Sequence, residues 1–123
     1  MARILVVDDD VSIRELLKEF LTSLGHEVET GADCREAVQL VRKRPYALAI
    51  LDRNTPFMTG VEAIELIRAD PKNQKLKIMM FTSASMVREV EEAFRAGADD
   101  YLLKPINLKL LNDKVQTLLA KQA

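Results

Sequence analysis

The chain has 123 residues, a length that suits one globular domain and leaves no room for two. Eighteen basic residues against nineteen acidic ones give a net charge of −1, which argues against a nucleic-acid-binding protein because such proteins carry a basic excess. The single cysteine, Cys34, excludes an internal disulfide and a cysteine-based zinc site. Because the apolar runs are too short for a signal peptide or a membrane span, we expect a soluble, cytoplasmic domain.

Short apolar runs alternate with helical patterns along the whole chain. The runs at residues 4–7, 47–51 and 78–81 are continuous, which is typical of strands buried on both faces of a parallel sheet. Weaker runs at 27–30 and 101–103 predict two further strands. Apolar residues spaced three and four apart between the runs predict five helices. This strict alternation predicts an α/β fold, a doubly wound five-stranded parallel sheet with helices on both faces.

Residues with capping properties mark several of the predicted helix ends. Gly25 and Gly97 follow the first and fourth helical patterns, where glycine commonly ends a helix. Asp33 precedes the second pattern and predicts an N-cap. At the first helix, Asp10 and Ser12 remain alternative N-caps.

Acidic, hydroxyl and basic side chains lie at the ends of four of the five predicted strands. They are Asp8, Asp9 and Asp10 after the first strand, Asp52 at the third, Thr82 and Ser83 at the fourth, and Lys104 at the fifth. Ligands of open parallel sheets bind at the carboxyl ends of the strands, so these groups are expected to meet at one edge. Clustered carboxylates repel one another unless a cation joins them, and oxygen ligands suit Mg²⁺. A carboxylate beside Mg²⁺ can itself accept a phosphoryl group as an acyl phosphate.

Each of these residues also has a purely structural interpretation. Asp10 caps a helix in that view, Thr82 caps the fourth helix, and Lys104 is a solvated surface charge. Each structural interpretation is reasonable for a residue taken alone. Their coincidence on the carboxyl edge of one sheet favours the functional interpretation.

From end to end, the chain resembles a response-regulator receiver domain, the phosphoacceptor of bacterial two-component signalling. The motifs that carry the resemblance are Ile-Leu-Val-Val-Asp-Asp-Asp at 4–10, Leu51-Asp52 with Pro56 and Gly60, Phe-Thr-Ser-Ala at 81–84, Ala-Gly-Ala at 96–98 and Tyr-Leu-Leu-Lys-Pro at 101–105. The resemblance implies the flavodoxin-like strand order 2-1-3-4-5. It also implies a single receiver domain over residues 1–123, with no output domain in this chain.

The resemblance assigns roles to the acidic residues. Asp52 would accept the phosphoryl group from a sensor histidine kinase or a histidine phosphotransfer protein and would lose it slowly by self-dephosphorylation. Mg²⁺ would be held by Asp9, by Asp52, by the backbone carbonyl of Asn54 and, mainly through water, by Asp8. The protein would therefore be a Mg²⁺-dependent signalling phosphoacceptor rather than an enzyme.

The resemblance also assigns the residues that convert phosphorylation into a signal. Lys104 would pair with the phosphoryl group, and Thr82 would donate a hydrogen bond to it. Tyr101 would act with Thr82 as a switch residue, and Pro105 would follow a cis peptide bond. The signal would leave through the fourth helix, fifth strand and fifth helix, towards a separate output protein or a second copy of this chain, with no direct contact to nucleic acid or membrane. Expected exposed contacts on that face are Met86, Glu89, Arg95 and Lys109.

Three residues around Asp52 depart from the family pattern. Thr55 stands where methionine is common, and Phe57 stands where glycine is frequent. Arg53 replaces an apolar residue and is a candidate to lean over the mouth and screen the acidic cluster. None of the three removes a catalytic group, so the departures concern loop geometry and reaction rates.

Two other functions share some of these residues. A phosphohydrolase of the haloacid-dehalogenase type also forms an aspartyl phosphate, but it carries a second aspartate two residues after the nucleophile, where this chain has Asn54. A degenerate receiver acting only as a binding module would have lost Asp52, Lys104 or a member of the acidic pair, and all are present. The lone histidine, His26, is expected to be an ordinary surface or edge residue, and Cys34 to be packed in the core.

Overall fold

The computed structural model describes residues 2–83 and 86–121. Its strands are β1 (Arg3–Val7), β2 (Glu27–Gly31), β3 (Leu48–Asp52), β4 (Lys77–Thr82) and β5 (Asp100–Leu103). Its α-helices are α1 (Val11–Ser23), α2 (Cys34–Lys43), α3 (Gly60–Arg68), α4 (Val87–Ala96) and α5 (Leu108–Ala120). The bounds of each strand differ from the predicted ones by no more than one residue.

The five strands form one parallel sheet in the order β2-β1-β3-β4-β5. This confirms the predicted doubly wound α/β fold and the order that the resemblance implies. The strand order reverses between β1 and β3, where Val7 pairs with Leu51. In open sheets a ligand crevice forms beyond the carboxyl ends of the strands at such a reversal.

Two hydrophobic clusters cover the two faces of the sheet. Alternate residues of β1 point to opposite faces: Leu5 and Val7 belong to one cluster, and Ile4 and Val6 to the other. The first cluster includes residues of α2, α3 and α4, while the second includes residues of α1 and α5. All five residues of β3 are buried, because helices cover both faces of this central strand. This explains the continuous apolar run in its sequence.

The structure resolves the alternatives at the helix ends. The Asp10 carboxylate accepts hydrogen bonds from the backbone N–H groups of Ser12 and Ile13, so Asp10 and not Ser12 caps α1. Asp33 caps α2 as predicted. Thr82 belongs to β4 and is not the cap of α4, whose N-cap residue is Met86.

The predicted loop at residues 70–75 contains one turn of 3-10 helix, Pro71–Asn73. Within the described parts of the chain, no helix combines the length and apolar character that crossing a membrane requires.

Arg68 joins four segments at the amino edge of the sheet. Its guanidinium donates to the carbonyls of Gly97, Asn73 and Leu76 at 3.0, 2.7 and 2.7 Å, and pairs with Asp99 at 2.8 Å. The side chain is 17% exposed. At Gly97, where φ is +123°, a Cβ would lie 2.7 Å from the Cγ of Arg68, so both the backbone conformation and this packing require glycine.

We predict that Arg68→Leu lowers the free energy of unfolding by about 2–4 kcal/mol, because it removes charge-assisted hydrogen bonds and leaves buried carbonyls unpaired. Urea denaturation followed by circular dichroism measures the loss. Arg88→Leu, at an exposed position on α4, is the control and should change the value by less than about 0.5 kcal/mol. An equal effect of the two substitutions would contradict the structural role of Arg68.

Candidate functional site

Three predicted acidic residues lie together at the carboxyl edge of the sheet. Asp8 directly follows β1 and Asp52 ends the adjacent β3, and with Asp9 they place carboxylate oxygens within 4.8 Å of one another. Asp8 and Asp52 are buried, at 0% and 4% exposure, whereas Asp9 is exposed. Asp10, which caps α1, is not a member of this cluster.

The Lys104 ammonium neutralises part of this negative charge. Its Nζ lies 3.3 Å from Oδ2 of Asp8 and 3.5 Å from Oδ2 of Asp52. Lys104 follows β5, two strands away from β3, and its Nζ lies 5.0 Å from the centre of the Phe81 ring on the intervening β4. The structure therefore brings Lys104 to the acidic residues and rules out a solvated surface role.

Burial controls the ionisation of the central groups. It raises the pKa of Asp52 from 3.8 to about 6; the Asn54 N–H and Lys104 act against this shift, and the Asp8 charge adds to it. For Lys104, burial lowers the pKa, but the Asp52 and Asp8 carboxylates outweigh it and the pKa is raised overall. The site thus holds the Lys104 ammonium beside the Asp52 carboxyl group, whose burial makes its ionisation costly.

The donor set of the cluster fits a hard divalent cation. Mg²⁺ prefers carboxylate and carbonyl oxygens, which are the groups present. The buried Oδ2 of Asp8 makes no hydrogen bond, although it is ion-paired with Lys104. The other oxygen of Asp8 accepts the backbone N–H of Asp10 at 2.9 Å. An acidic oxygen that the protein leaves without a hydrogen bond is thus available to a metal ion or its water.

The loop after Asp52 fixes the position of the Asp52 carboxylate through a backbone hydrogen bond. The N–H of Asn54 donates to Oδ1 of Asp52 at 3.2 Å, and Asn54 forms an isolated bridge with Thr59. Gly60 begins α3 against this turn: a Cβ there would lie 2.9 Å from the Asp52 carbonyl. Glycine thus permits the close approach of α3 to the end of β3.

The family departures Thr55 and Phe57 lie in the same loop. The Thr55 hydroxyl accepts the N–H of Cys34 at 2.9 Å and donates to the Met58 carbonyl at 2.8 Å, so it links the loop to the start of α2. Phe57 has φ of +73°, a conformation that explains why glycine is favoured there. Its ring is 77% exposed and lies 4.2 Å from the guanidinium of Arg35.

Thr82 and Tyr101 lie beside a small cavity between the sheet and α4. Thr82 is buried at the end of β4, and Tyr101 is half-buried on β5. With Arg53, Val90 and other residues they line a cavity of about 10 Å³, room for one water molecule at most. The Tyr101 ring makes an edge-to-face contact with Phe94 of α4. The structure thus brings Thr82 and Tyr101 together, but Tyr101 is outside the acidic cluster.

Arg53 does not cover the acidic cluster, so the suggestion that it screens the mouth is wrong. Its guanidinium turns towards α4, where it lies 3.8 Å from Glu89 and 3.7 Å from Glu92. The physical reason is that α4 places two glutamate carboxylates within reach of the Arg53 guanidinium.

Comparison with known proteins identifies the family. The sequence model of the response regulator receiver domain matches residues 4–116. The chain belongs to this family.

Individual relatives agree with that assignment. The chemotaxis protein CheY homologue of Campylobacter jejuni is 33% identical over 121 residues, covering 95% of this receiver domain and 92% of that protein. The transcriptional regulatory protein TctD of Salmonella typhimurium is 33% identical, but the match covers 98% of this chain and 53% of TctD.

Solved structures are similar as well. The chemotaxis response regulator CheY4 of Vibrio cholerae has 36% identity and a TM-score of 0.91, covering 96% of this chain and 98% of that one. The receiver domain of the sensor histidine kinase PA1611 from Pseudomonas aeruginosa has 28% identity and a TM-score of 0.89, covering 97% and 98%. The latter structure has a magnesium ion coordinated in its active-site cleft.

Sequence reasoning missed two contacts that support this receiver site. Arg14 of α1 donates to the carbonyl of Asp8 at 2.8 Å, and the Cys34 thiol lies 3.4 Å from the carbonyl of Asp52. Cys34 is packed as predicted, and burial raises its pKa to about 11. No sequence pattern marked Arg14, because an arginine on an amphipathic helix usually belongs to its solvated face. The peptide bond before Pro105 is cis, as the resemblance implies.

The electrostatic arrangement predicts that two substitutions shift the pKa of Asp52 in opposite directions when the receiver domain is free of Mg²⁺. Lys104→Met should raise the pKa of Asp52 above about 6, because it removes the nearby positive charge, and Asp8→Asn should lower it, because it removes a repelling carboxylate. Carboxyl ¹³C chemical shifts measured against pH report this pKa. Lys109→Met, at an exposed position on α5, is the control. Shifts in the same direction for both substitutions would contradict the arrangement.

Proposed function

We propose that this protein is a signalling switch in which Asp52 accepts a phosphoryl group from the phosphohistidine of a sensor histidine kinase or a histidine phosphotransfer protein. The observation that carries the proposal is the position of the Asp52 carboxylate at the end of the central strand. It is nearly buried, its Oδ1 accepts the N–H of Asn54, and its Oδ2 lies 3.5 Å from the ammonium of Lys104. A nucleophilic oxygen is thereby held beside a fixed positive charge.

The transfer is a simple displacement at phosphorus. A carboxylate oxygen of Asp52 attacks the phosphorus atom, the phosphorus–nitrogen bond breaks, and the imidazole of the donor leaves with the bonding electron pair. Such transfers depend on positioning and on stabilising the charge of the equatorial oxygens. Because the attacking group must be the carboxylate, a proton on Asp52 opposes the reaction.

Lys104 and Thr82 would receive the new group. A phosphoryl group adds about −1.5 to −2 charges and three acceptor oxygens. Lys104, which already pairs with Asp52, would form a charge-assisted contact with one oxygen. The hydroxyl of Thr82 would donate a hydrogen bond to another, since Thr82 ends the strand next to β3.

Asp8, Asp9, Asp52 and the backbone carbonyl of Asn54 would hold Mg²⁺. The receiver family uses Mg²⁺ at this acidic pocket, and the oxygen cluster with an Asp8 oxygen that lacks a hydrogen bond supports the same use here. When bound, the ion would neutralise charge on the phosphoryl oxygens.

Self-dephosphorylation would reverse the modification slowly. A water molecule attacks phosphorus, the bond to the Asp52 oxygen breaks, and inorganic phosphate is released. The residue two positions after the acceptor is Asn54, which cannot act as a general acid or base as the corresponding aspartate of a phosphohydrolase does. The protein is therefore proposed to act as a phosphoacceptor and not as a turnover enzyme.

The signal is proposed to leave through the surface formed by α4, β5 and α5. Large apolar side chains are exposed there: Met86, Val87, Phe94, Leu103 and Leu110. A separate output protein or a second copy of this chain would bind this surface, without direct contact to nucleic acid or membrane. We propose a cytoplasmic location and a single receiver unit over residues 1–123, which the nearly full-length match to a CheY homologue supports.

We predict that incubation with acetyl phosphate and Mg²⁺ adds one phosphoryl group per chain and that Asp52→Ala abolishes the addition. Intact-protein mass spectrometry measures it directly. Asp113→Ala, which removes an exposed carboxylate of α5, is the matched control and should leave the mass gain unchanged. Uptake that persists in Asp52→Ala would refute the assignment of the acceptor.

We also predict that a phosphoryl mimic, beryllofluoride with Mg²⁺, shifts backbone amide resonances across residues 86–110 as well as around Asp52. The reason is that Thr82 moves towards the mimic and frees space that Tyr101 enters. Thr82→Ala should keep the changes around Asp52 and lose most of those in α4 and β5. Changes confined to the neighbourhood of Asp52 in the unsubstituted protein would rule out this output surface.

A further inference from the structure

We propose that Arg53, through Glu89 and Glu92, is an ionic tether that holds the first turns of α4 against the sheet and opposes switching. The inference rests on the proposed function of Asp52 as phosphoacceptor. It concerns a residue at which this chain departs from the common apolar pattern of the family.

The tether joins the acceptor strand to one helix. The Nε of Arg53 lies 3.8 Å from Oε2 of Glu89, and Nη2 lies 3.7 Å from Oε1 of Glu92. Nη1 also donates to the backbone carbonyl of Glu89 at 3.4 Å. At the other end, the backbone N–H of Arg53 donates to the carbonyl of Phe81 on β4 at 3.1 Å. The side chain therefore spans from the sheet to the first half of α4.

Solvent screens the tether only in part. The Arg53 side chain is 17% exposed, and those of Glu89 and Glu92 are 29% and 52% exposed. Exposed ion pairs contribute little to stability, but an arginine shared between two carboxylates and a carbonyl is held in a defined position. The tether is thus a modest but directed contribution to the position of α4.

The other contacts of α4 are weak. Ala93 is its one buried residue, and its N-cap Met86 makes no side-chain capping hydrogen bond. Val87, in the first turn, is 71% exposed. With so little apolar burial, the ionic contacts of Arg53 carry a larger share of the attachment of α4 than they would in a well-packed helix.

The two ends of α4 are held with different strength. Just beyond its carboxyl end, the carbonyl of Gly97 accepts a hydrogen bond from Arg68 at 3.0 Å, and Arg68 also donates to two further carbonyls at 2.7 Å. The amino half depends on Arg53, whose contacts are 3.4–3.8 Å long. Movement of α4 is therefore expected to be a lifting of its amino half, with the end near Gly97 as the fixed point.

The proposed inward rotation of Tyr101 requires this lifting of the amino half of α4. Arg53, Thr82 and Tyr101 line the same cavity, whose volume of about 10 Å³ is far too small for a phenol ring. For Tyr101 to rotate inwards, the first turns of α4 must move away from the sheet, and that movement lengthens the contacts of Arg53 with Glu89 and Glu92. The tether consequently stabilises the arrangement in which Tyr101 has not rotated into this space.

Hydrogen exchange in the unphosphorylated protein tests the tether directly. Arg53→Met should make the backbone amides of residues 90–93 exchange about two- to five-fold faster, the range expected for the loss of such ion pairs. Arg88→Met is the matched control, because it replaces an arginine at an exposed position on α4. It should leave the exchange rates of those amides unchanged within experimental error. Equal exchange in Arg53→Met and the unsubstituted protein would overturn the proposal.

Glu92→Gln separates the tether from any direct effect of Arg53 on the acidic site, since Glu92 lies on α4. It should accelerate exchange about two-fold, and the effects of Glu92→Gln and Arg53→Met should not add in the double variant. Glu92→Gln should also lower the beryllofluoride concentration that half-saturates the resonance changes around Tyr101 by a similar factor. Additive effects, or an unchanged half-saturating concentration, would contradict the tether.

Failure of the proposed function gives a different result. If acetyl phosphate adds no phosphoryl group to Asp52 in the unsubstituted protein, the phosphoacceptor role is wrong, and with it the role of the tether in switching. Exchange in the unphosphorylated protein reports the tether itself, whatever the outcome of the mass measurement.

Discussion

The ion pair that Lys104 shares with Asp8 and Asp52 is the interaction on which the functional edge of this protein depends. Two carboxylates with nearly complete burial would repel each other strongly without a cation between them. Lys104 can reach them because β5 lies two strands from β3 in the same parallel sheet, so its long side chain crosses the end of β4 at Phe81. A different strand order would leave the acidic residues without this partner.

The Lys104 ammonium compensates only part of the negative charge of the acidic cluster, and this has chemical consequences. Asp8, Asp9 and Asp52 bring three acidic side chains to a site with one ammonium, and the pKa of Asp52 stays raised at about 6. A site with excess negative charge and hard oxygen donors attracts a divalent cation. In the proposed function, the same ammonium would pair with an oxygen of a phosphoryl group on Asp52. Electrostatics would thus link Mg²⁺ binding, ionisation of Asp52 and retention of the phosphoryl group.

The two helices α3 and α4 beside this site are attached to the sheet by contacts of different strength. The helix α3 is fixed by a capping box between Thr59 and Glu62 and by the close contact of Gly60 with the end of β3. The helix α4 has one buried residue, an N-cap residue without a side-chain capping hydrogen bond, and long ionic contacts to Arg53. A chemical change at Asp52 is therefore expected to leave the loop after Asp52 in place and to move α4, which carries the exposed apolar side chains Val87 and Phe94.

Much of the fold and the central part of the site followed from the sequence by itself. Continuous apolar runs need cover on both faces, and their alternation with amphipathic helices allows few arrangements other than a doubly wound parallel sheet. Because every strand then ends at the same edge, Asp8, Asp52, Thr82 and Lys104 were expected to share it, and Asp8, Asp52 and Lys104 do lie in contact distance.

Other features were decided by the tertiary structure alone. The sequence pattern could not decide whether Asp10 or Ser12 is the N-cap of α1, since the position of either residue is compatible with that role. The direction of Arg53 depends on Glu89 and Glu92, more than 30 residues further along the chain. A long, flexible side chain takes its position from the charges that the fold brings near it, and those charges come from segments that no local pattern connects.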